Sequence, residues 1–103
     1  QAVKVFSWAI RSEMNRGNLE EVNNLFLAFV QEDRIRMINL INPADSKIIL
    51  STDKKNEGLE VTNQNFLNVT EQMIVEDGEQ TFVVSPIMGI NRVTGILVVE
   101  ILL

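Results

Sequence analysis

Five residues in this 103-residue chain have side chains suited to holding a small molecule: Arg36, Ser51, Lys54, Lys55 and Ser85. Lys54 and Lys55 are adjacent in a polar stretch of a chain with net charge −5, so they are either a solvated loop tip or half of an anion site. Arg36 can offer a two-pronged donor to a carboxylate. Ser51 closes the apolar run that delivers the basic pair. Ser85 precedes Pro86, whose missing N–H leaves a gap in a strand ladder where a ligand can approach. The expected ligand is small and anionic, lying beneath residues 51–75 against a sheet.

Turnover chemistry is not legible. The chain has no histidine, cysteine or tyrosine. That removes the commonest general base, the commonest metal ligand, thiol nucleophiles and disulfides. The serines and threonines have no partner base in any recognisable motif, and no Gly-rich phosphate loop is present. Glu76, Asp77 and Glu79 cluster at a turn and read as solvated carboxylates. We expect no catalytic residue, cofactor or metal. The acidic balance also argues against nucleic acid, which needs clustered lysine and arginine.

The elements that position these residues follow from periodicity. Val3, Phe6, Ile10 and Met14 recur at helical spacing over residues 2–16, and Gly17 signals the end of that helix. Asn18, with Glu21 three residues later, opens a second helix reaching about residue 31, where Gln31-Glu32-Asp33 ends it. Its broad apolar face (Leu19, Val22, Leu25, Phe26, Phe29 and Val30) needs a sheet beneath it. Strands are expected at 35–42, 47–52, 72–77, 79–88 and 93–102. The first pair turns at Asn42-Pro43-Ala44-Asp45-Ser46 and carries a floppy loop over residues 51–58. The third and fourth meet at Asp77-Gly78, a strong hairpin signal, and Gly89-Ile90-Asn91-Arg92 makes another turn. A short, weak helix is expected over residues 62–70. The last strand is wholly apolar on one face and carries Thr94 and a single charge, Glu100, on the other, so it is central or covered, and Gly95 within it marks the close approach of another backbone or a helix. Arg36 and Asn39, of opposite parity, should face opposite sides of the sheet. Trp8 reads as a core or dimer-interface anchor.

The result is an α+β domain: two N-terminal helices on one face of a single five-stranded antiparallel sheet. No run of about 20 apolar residues could span a membrane, the longest being residues 25–30. The chain starts at Gln1 without methionine and ends on Glu100-Ile101-Leu102-Leu103, so we read it as a soluble fragment of a larger protein.

Residues 38–42 and 47–52, Gly58, Val83-Val84-Ser85-Pro86-Ile87 and Thr94-Gly95-Ile96-Leu97-Val98-Val99 together resemble the PAS-like extracytoplasmic sensor domains called Cache or PDC domains. The resemblance covers residues 18–102. It departs at the first turn, where the family has Asp and Gly and this chain has Asn42 and Ser46. It departs again in lacking the tyrosine, tryptophan, histidine or arginine of amino-acid and dicarboxylate sensors, with Lys54 and Lys55 in the loop instead. The resemblance implies a sensor domain between two membrane spans of a bacterial histidine kinase, chemoreceptor or diguanylate cyclase. Residues 1–17 would continue from the first span, with 18–103 as the globular part. A parallel homodimer through Val3, Phe6, Ile10 and Met14 is expected, on the premise that the sheet cannot cover that stripe. The alternative is an intracellular scaffold of the roadblock or longin kind, which has a helix between its hairpins and a closing helix.

Overall fold

The computed structural model describes residues 2–32 and 34–102, with Ala2 described by its backbone alone. Asp33, part of the expected end of the second helix, and the terminal Gln1 and Leu103 lie outside the described residues. Two helices, α1 (Ala2–Asn15) and α2 (Leu19–Phe29), precede five strands: β1 (Ile35–Asn42), β2 (Lys47–Ser51), β3 (Met73–Asp77), β4 (Gln80–Met88) and β5 (Val93–Ile101). The strands form one antiparallel sheet in the order β2-β1-β5-β4-β3. The fold is α+β, with the last strand between the two hairpins. The interior position of β5 is the one expected from the apolar faces of residues 93–102.

The junction of the helices shows why the chain breaks where it does. Gly17 takes φ +71°, which a residue with a Cβ rarely adopts. Its N–H donates to the Met14 carbonyl at 2.9 Å, and the Asn18 N–H donates to the Glu13 carbonyl at 2.9 Å. Two of the last carbonyls of α1 are thereby satisfied. The Asn18 side chain then accepts from the Glu21 N–H at 3.2 Å, capping α2. The capping box is half built, because the Asn18 N–H is already committed to α1.

Both helices lie on one face of the sheet. Val3, Phe6 and Ile10 of α1 and Val22 and Phe26 of α2 are buried against Ile38, Leu40, Val83, Ile87, Leu97 and Val99. The Phe6 ring stacks on Phe29 with centroids 4.0 Å apart and meets Phe26 at 5.9 Å. This corrects the premise for a dimer through Val3, Phe6, Ile10 and Met14. The sheet and α2 cover that stripe within one chain, and α1 belongs to the core rather than standing apart from it. The outer face of α1 carries Val5 and Trp8, each 65% exposed, so Trp8 is not a core anchor.

Met14 packs onto Gly95. A Cβ built there sits 3.0 Å from Leu40 Cδ1 and 3.1 Å from Met14 Cε, which is the close approach expected of a glycine inside a buried strand. Gly95→Val should therefore cost about 1–3 kcal/mol by overpacking. Urea denaturation checks this: the midpoint should fall with the slope unchanged, and an unmoved midpoint would mean that α1 does not press on β5 here.

The opposite face holds a second apolar cluster. Ile41, Ile48, Val75, Phe82, Val84, Ile96 and Val98 are covered by Val61, Phe66, Leu67 and Val69 from the connection between β2 and β3. Two expectations for that connection need correcting. The weak helix over residues 62–70 shrinks to one 3-10 turn, Gln64–Phe66, because its asparagines bond locally: Asn63 Oδ1 accepts from the Asn65 N–H at 2.9 Å. The loop over residues 51–58 is not floppy. It makes a 3-10 turn, Lys54–Asn56, and returns alongside β2, with the Gly58 N–H on the Ile48 carbonyl at 2.8 Å and the Ile48 N–H on the Leu59 carbonyl at 3.0 Å.

Candidate functional site

The helix-free face of the sheet and the returning connection flank an open cleft of about 330 Å³. Its floor is Met37, Asn39 and Ile41 of β1, Phe82 of β4 and Val98 of β5, and its roof is Val61, Thr62, Asn63 and Phe66. Period-2 alternation places Met37, Asn39 and Ile41 on one face, with Ile38 and Leu40 beneath the helices on the other. Phe66 meets Phe82 edge to face, centroids 4.9 Å apart, and closes one side. Asp77 and Gln80, on either side of the β3–β4 turn, complete the lining.

The polar groups of this cleft are unevenly satisfied. Gln80 donates from Nε2 to Glu100 at 3.0 Å, and Asn63 donates from Nδ2 to Asp77 at 3.5 Å. Asn39 Oδ1, in contrast, is buried without a hydrogen-bond partner among the described residues. Leaving such an acceptor unpaired costs about 1–3 kcal/mol. It sits between two apolar strand neighbours, Ile38 and Leu40. Asn39 is visible in the sequence as a polar residue in an apolar strand, and its parity with Met37 and Ile41 could have located the cleft floor. Phe66 and Phe82 gave no such signal.

The five residues selected from sequence do not converge. Ser85 faces the helices, its hydroxyl 3.1 Å from that of Ser7 on α1, in a groove of about 160 Å³ rimmed by Lys4, Trp8 and Arg11. Ser51 is fully buried at the end of edge strand β2, its Oγ accepting from the Asp53 N–H at 3.0 Å. Lys54 donates to Glu57 at 2.9 Å and to Asn23 of α2, which pins the loop against that helix. Lys55 is exposed, 3.6 Å from Asp53. Arg36 lies 3.8 Å from buried Glu100.

Arg36 also shows where strand parity misled. A bulge between Ile35 and Met37 shifts the register against β5, pairing Ile35 with Ile101 and Met37 with Glu100. The extra residue cancels the alternation. Arg36 therefore reaches Glu100, which points away from the helices, and shares that side of the sheet with Asn39 instead of opposing it. Each of the three expected cations thus has a carboxylate of its own.

The Glu57 carboxyl is held below the ordinary glutamate value, first by its hydrogen bond from Lys54 and then by the Ser51 N–H, which donates to it at 3.0 Å. A lowered folded pKa stabilises the tether fully above the ordinary value, and the stabilisation is lost as pH falls through the folded one. A carboxyl NMR titration of Glu57 should give a depressed midpoint that rises in Lys54→Met. An unchanged midpoint would show that the pair is too solvated to matter.

Among the described residues there is no group of three or more histidine, cysteine, aspartate or glutamate side chains that could hold a metal ion, and no helix long and apolar enough to cross a membrane. No family model matches the sequence, and no curated protein matches it.

Proposed function

We infer that this chain is the extracytoplasmic sensor domain of a membrane-bound signalling receptor of the histidine kinase, chemoreceptor or diguanylate cyclase type, and that it binds its signal rather than transforming it. The observation that carries this reading is the cleft on the helix-free face, floored by β1, β4 and β5 and roofed by the β2–β3 connection. A ligand there touches Val98, whose neighbours Leu97 and Val99 press on the helices through the other face of the same strand. Binding that favours one placement of β5 shifts a two-state equilibrium by the difference in affinity. The shift passes to α1 at Gly95 and to the chain that follows β5. Membrane spans flanking the domain would carry it inward.

The intracellular scaffold reading calls for a helix between the hairpins, where this chain has two 3-10 turns. The full-length open reading frame tests the choice. Apolar stretches of about 20 residues shortly before and after this domain are expected. A frame lacking both, with a helix after β5, would replace the sensor reading with the scaffold.

A further inference from the structure

We propose that the groove between α1 and β4 binds a compact oxyanion of phosphate or sulfate size, held between Lys4 and Arg11. The groove lies on the helix side of the sheet, opposite the cleft, so the proposal goes beyond the sensor reading and does not depend on the cleft holding a ligand.

The groove exists because two neighbouring strands stop at different places. Met73 of β3 pairs with Val84, and β4 then runs on to Met88 with no β3 residue opposite Ser85–Met88. The first helix packs on β4 beside this step, joined to it by the Ser7 and Ser85 hydroxyls 3.1 Å apart. The opening left there is about 160 Å³. Pockets for larger organic ligands run to roughly 300–1,000 Å³, so this one suits a compact ion. Lys4, Ser7, Trp8 and Arg11 stand at i, i+3, i+4 and i+7 of α1, one stripe of the helix, and all four line the groove. Two turns separate the cations, about 10.5 Å along the axis at roughly 1.5 Å per residue, so two long side chains can close on one ion from either end. Neither cation forms an ion pair among the described residues, whereas Arg36, Lys54 and Lys55 each face a carboxylate. No aspartate or glutamate among the described residues lines the groove, and Pro86, Ile87 and Met88 give it an apolar wall that weakens screening. In a chain of net charge −5 this is a local reversal of sign, which attracts an anion and repels a cation.

Trp8 is the chain's single tryptophan, so its indole N–H signal and its fluorescence report on the groove. Sodium phosphate is titrated into the isotope-labelled chain, with sodium chloride holding the ionic strength constant. The Trp8 indole and Ser85 backbone signals should shift saturably, and sulfate should reproduce the effect. Cyclohexanecarboxylate, bulkier and singly charged, should bind several-fold more weakly. Lys4→Gln and Arg11→Gln should each weaken phosphate binding several-fold. Lys47→Gln, the same charge loss at an exposed position of β2, should leave it unchanged. Phosphate shifts that survive in both α1 variants, or that Lys47→Gln weakens equally, mark diffuse charge screening and overturn the proposal. Cyclohexanecarboxylate binding as tightly as phosphate overturns the ligand class. No saturable shift with either oxyanion overturns the site. A Trp8 response to phosphatidylglycerol vesicles without one to free phosphate also overturns it, and makes this face of α1 a lipid contact. The sensor reading is judged separately by its flanking spans.

Discussion

Leu97→Asp should leave the chain without a cooperative unfolding transition. Leu97 is fully buried on the helix side of β5, between Leu40 of β1 and Ser85 of β4. Neither neighbour offers a cation, so an aspartate there is either a bare charge in the core or a protonated acid with the Ser85 hydroxyl as its one polar cross-strand neighbour. Both cost several kcal/mol. The lost leucine packing adds about 2–5 kcal/mol. A domain of this size holds about 5–15 kcal/mol in all, so the sum consumes most or all of it. Val99→Asp, on the same face two residues on, should behave alike. The contrast is Ile90→Asp in the exposed β4–β5 turn, where a surface change stays within about 0.5 kcal/mol. Circular dichroism with thermal and urea melts measures all three. A Leu97→Asp protein that melts like the parent would take β5 out of the centre of the sheet.

Phe6→Ala should destabilise the monomer by about 3–5 kcal/mol, the usual cost of emptying a buried phenylalanine site. The ring is stacked on Phe29, tilted against Phe26 and buried above the sheet, so its removal opens the interface between α1 and α2. Phe6→Glu should be worse, since it adds an unpaired charge. Neither variant therefore reports on self-association, contrary to what the helical stripe suggested. Trp8→Glu does, because the indole is 65% exposed and supports nothing in the core. Its stability should stay close to that of the parent, and sedimentation at millimolar protein should show less self-association if α1 forms a dimer contact through its outer face. A Phe6→Ala chain as stable as the parent would mean that α1 does not pack on the sheet.

The two helices and five strands, their order and their limits to within about two residues were legible in the chain alone, whereas the two 3-10 turns of the β2–β3 connection were not. Helical stripes at 3.6 residues and strand alternation at 2 depend only on neighbours within one element, and both were readable from Val3 to Ile101. The Asp77-Gly78 turn was local in the same way: Gly78 takes φ +63° and β3 meets β4 in register at Asp77 and Gln80. Gly95 announced a close approach, though only the structure names Leu40 and Met14 as what arrives. The candidate site was different in kind. Whether Arg36 faces one side of the sheet or the other was decided by a bulge, and a bulge is a property of register against β5 that strand β1 does not encode alone. Lys54 looked free because its partners, Glu57 and Asn23, come from a returning loop and from a helix 31 residues earlier. Ser51 and Ser85 looked like members of one site and lie in different parts of the fold, since β5 and β1 stand between their strands. The cleft needed the β2–β3 connection to fold back over β1, β4 and β5, which depends on long-range apolar contacts of Val61 and Phe66 rather than on local propensity. Asn39 was conspicuous in the sequence as a polar residue in an apolar run, but only the packed sheet shows that its oxygen is buried and unpaired among the described residues.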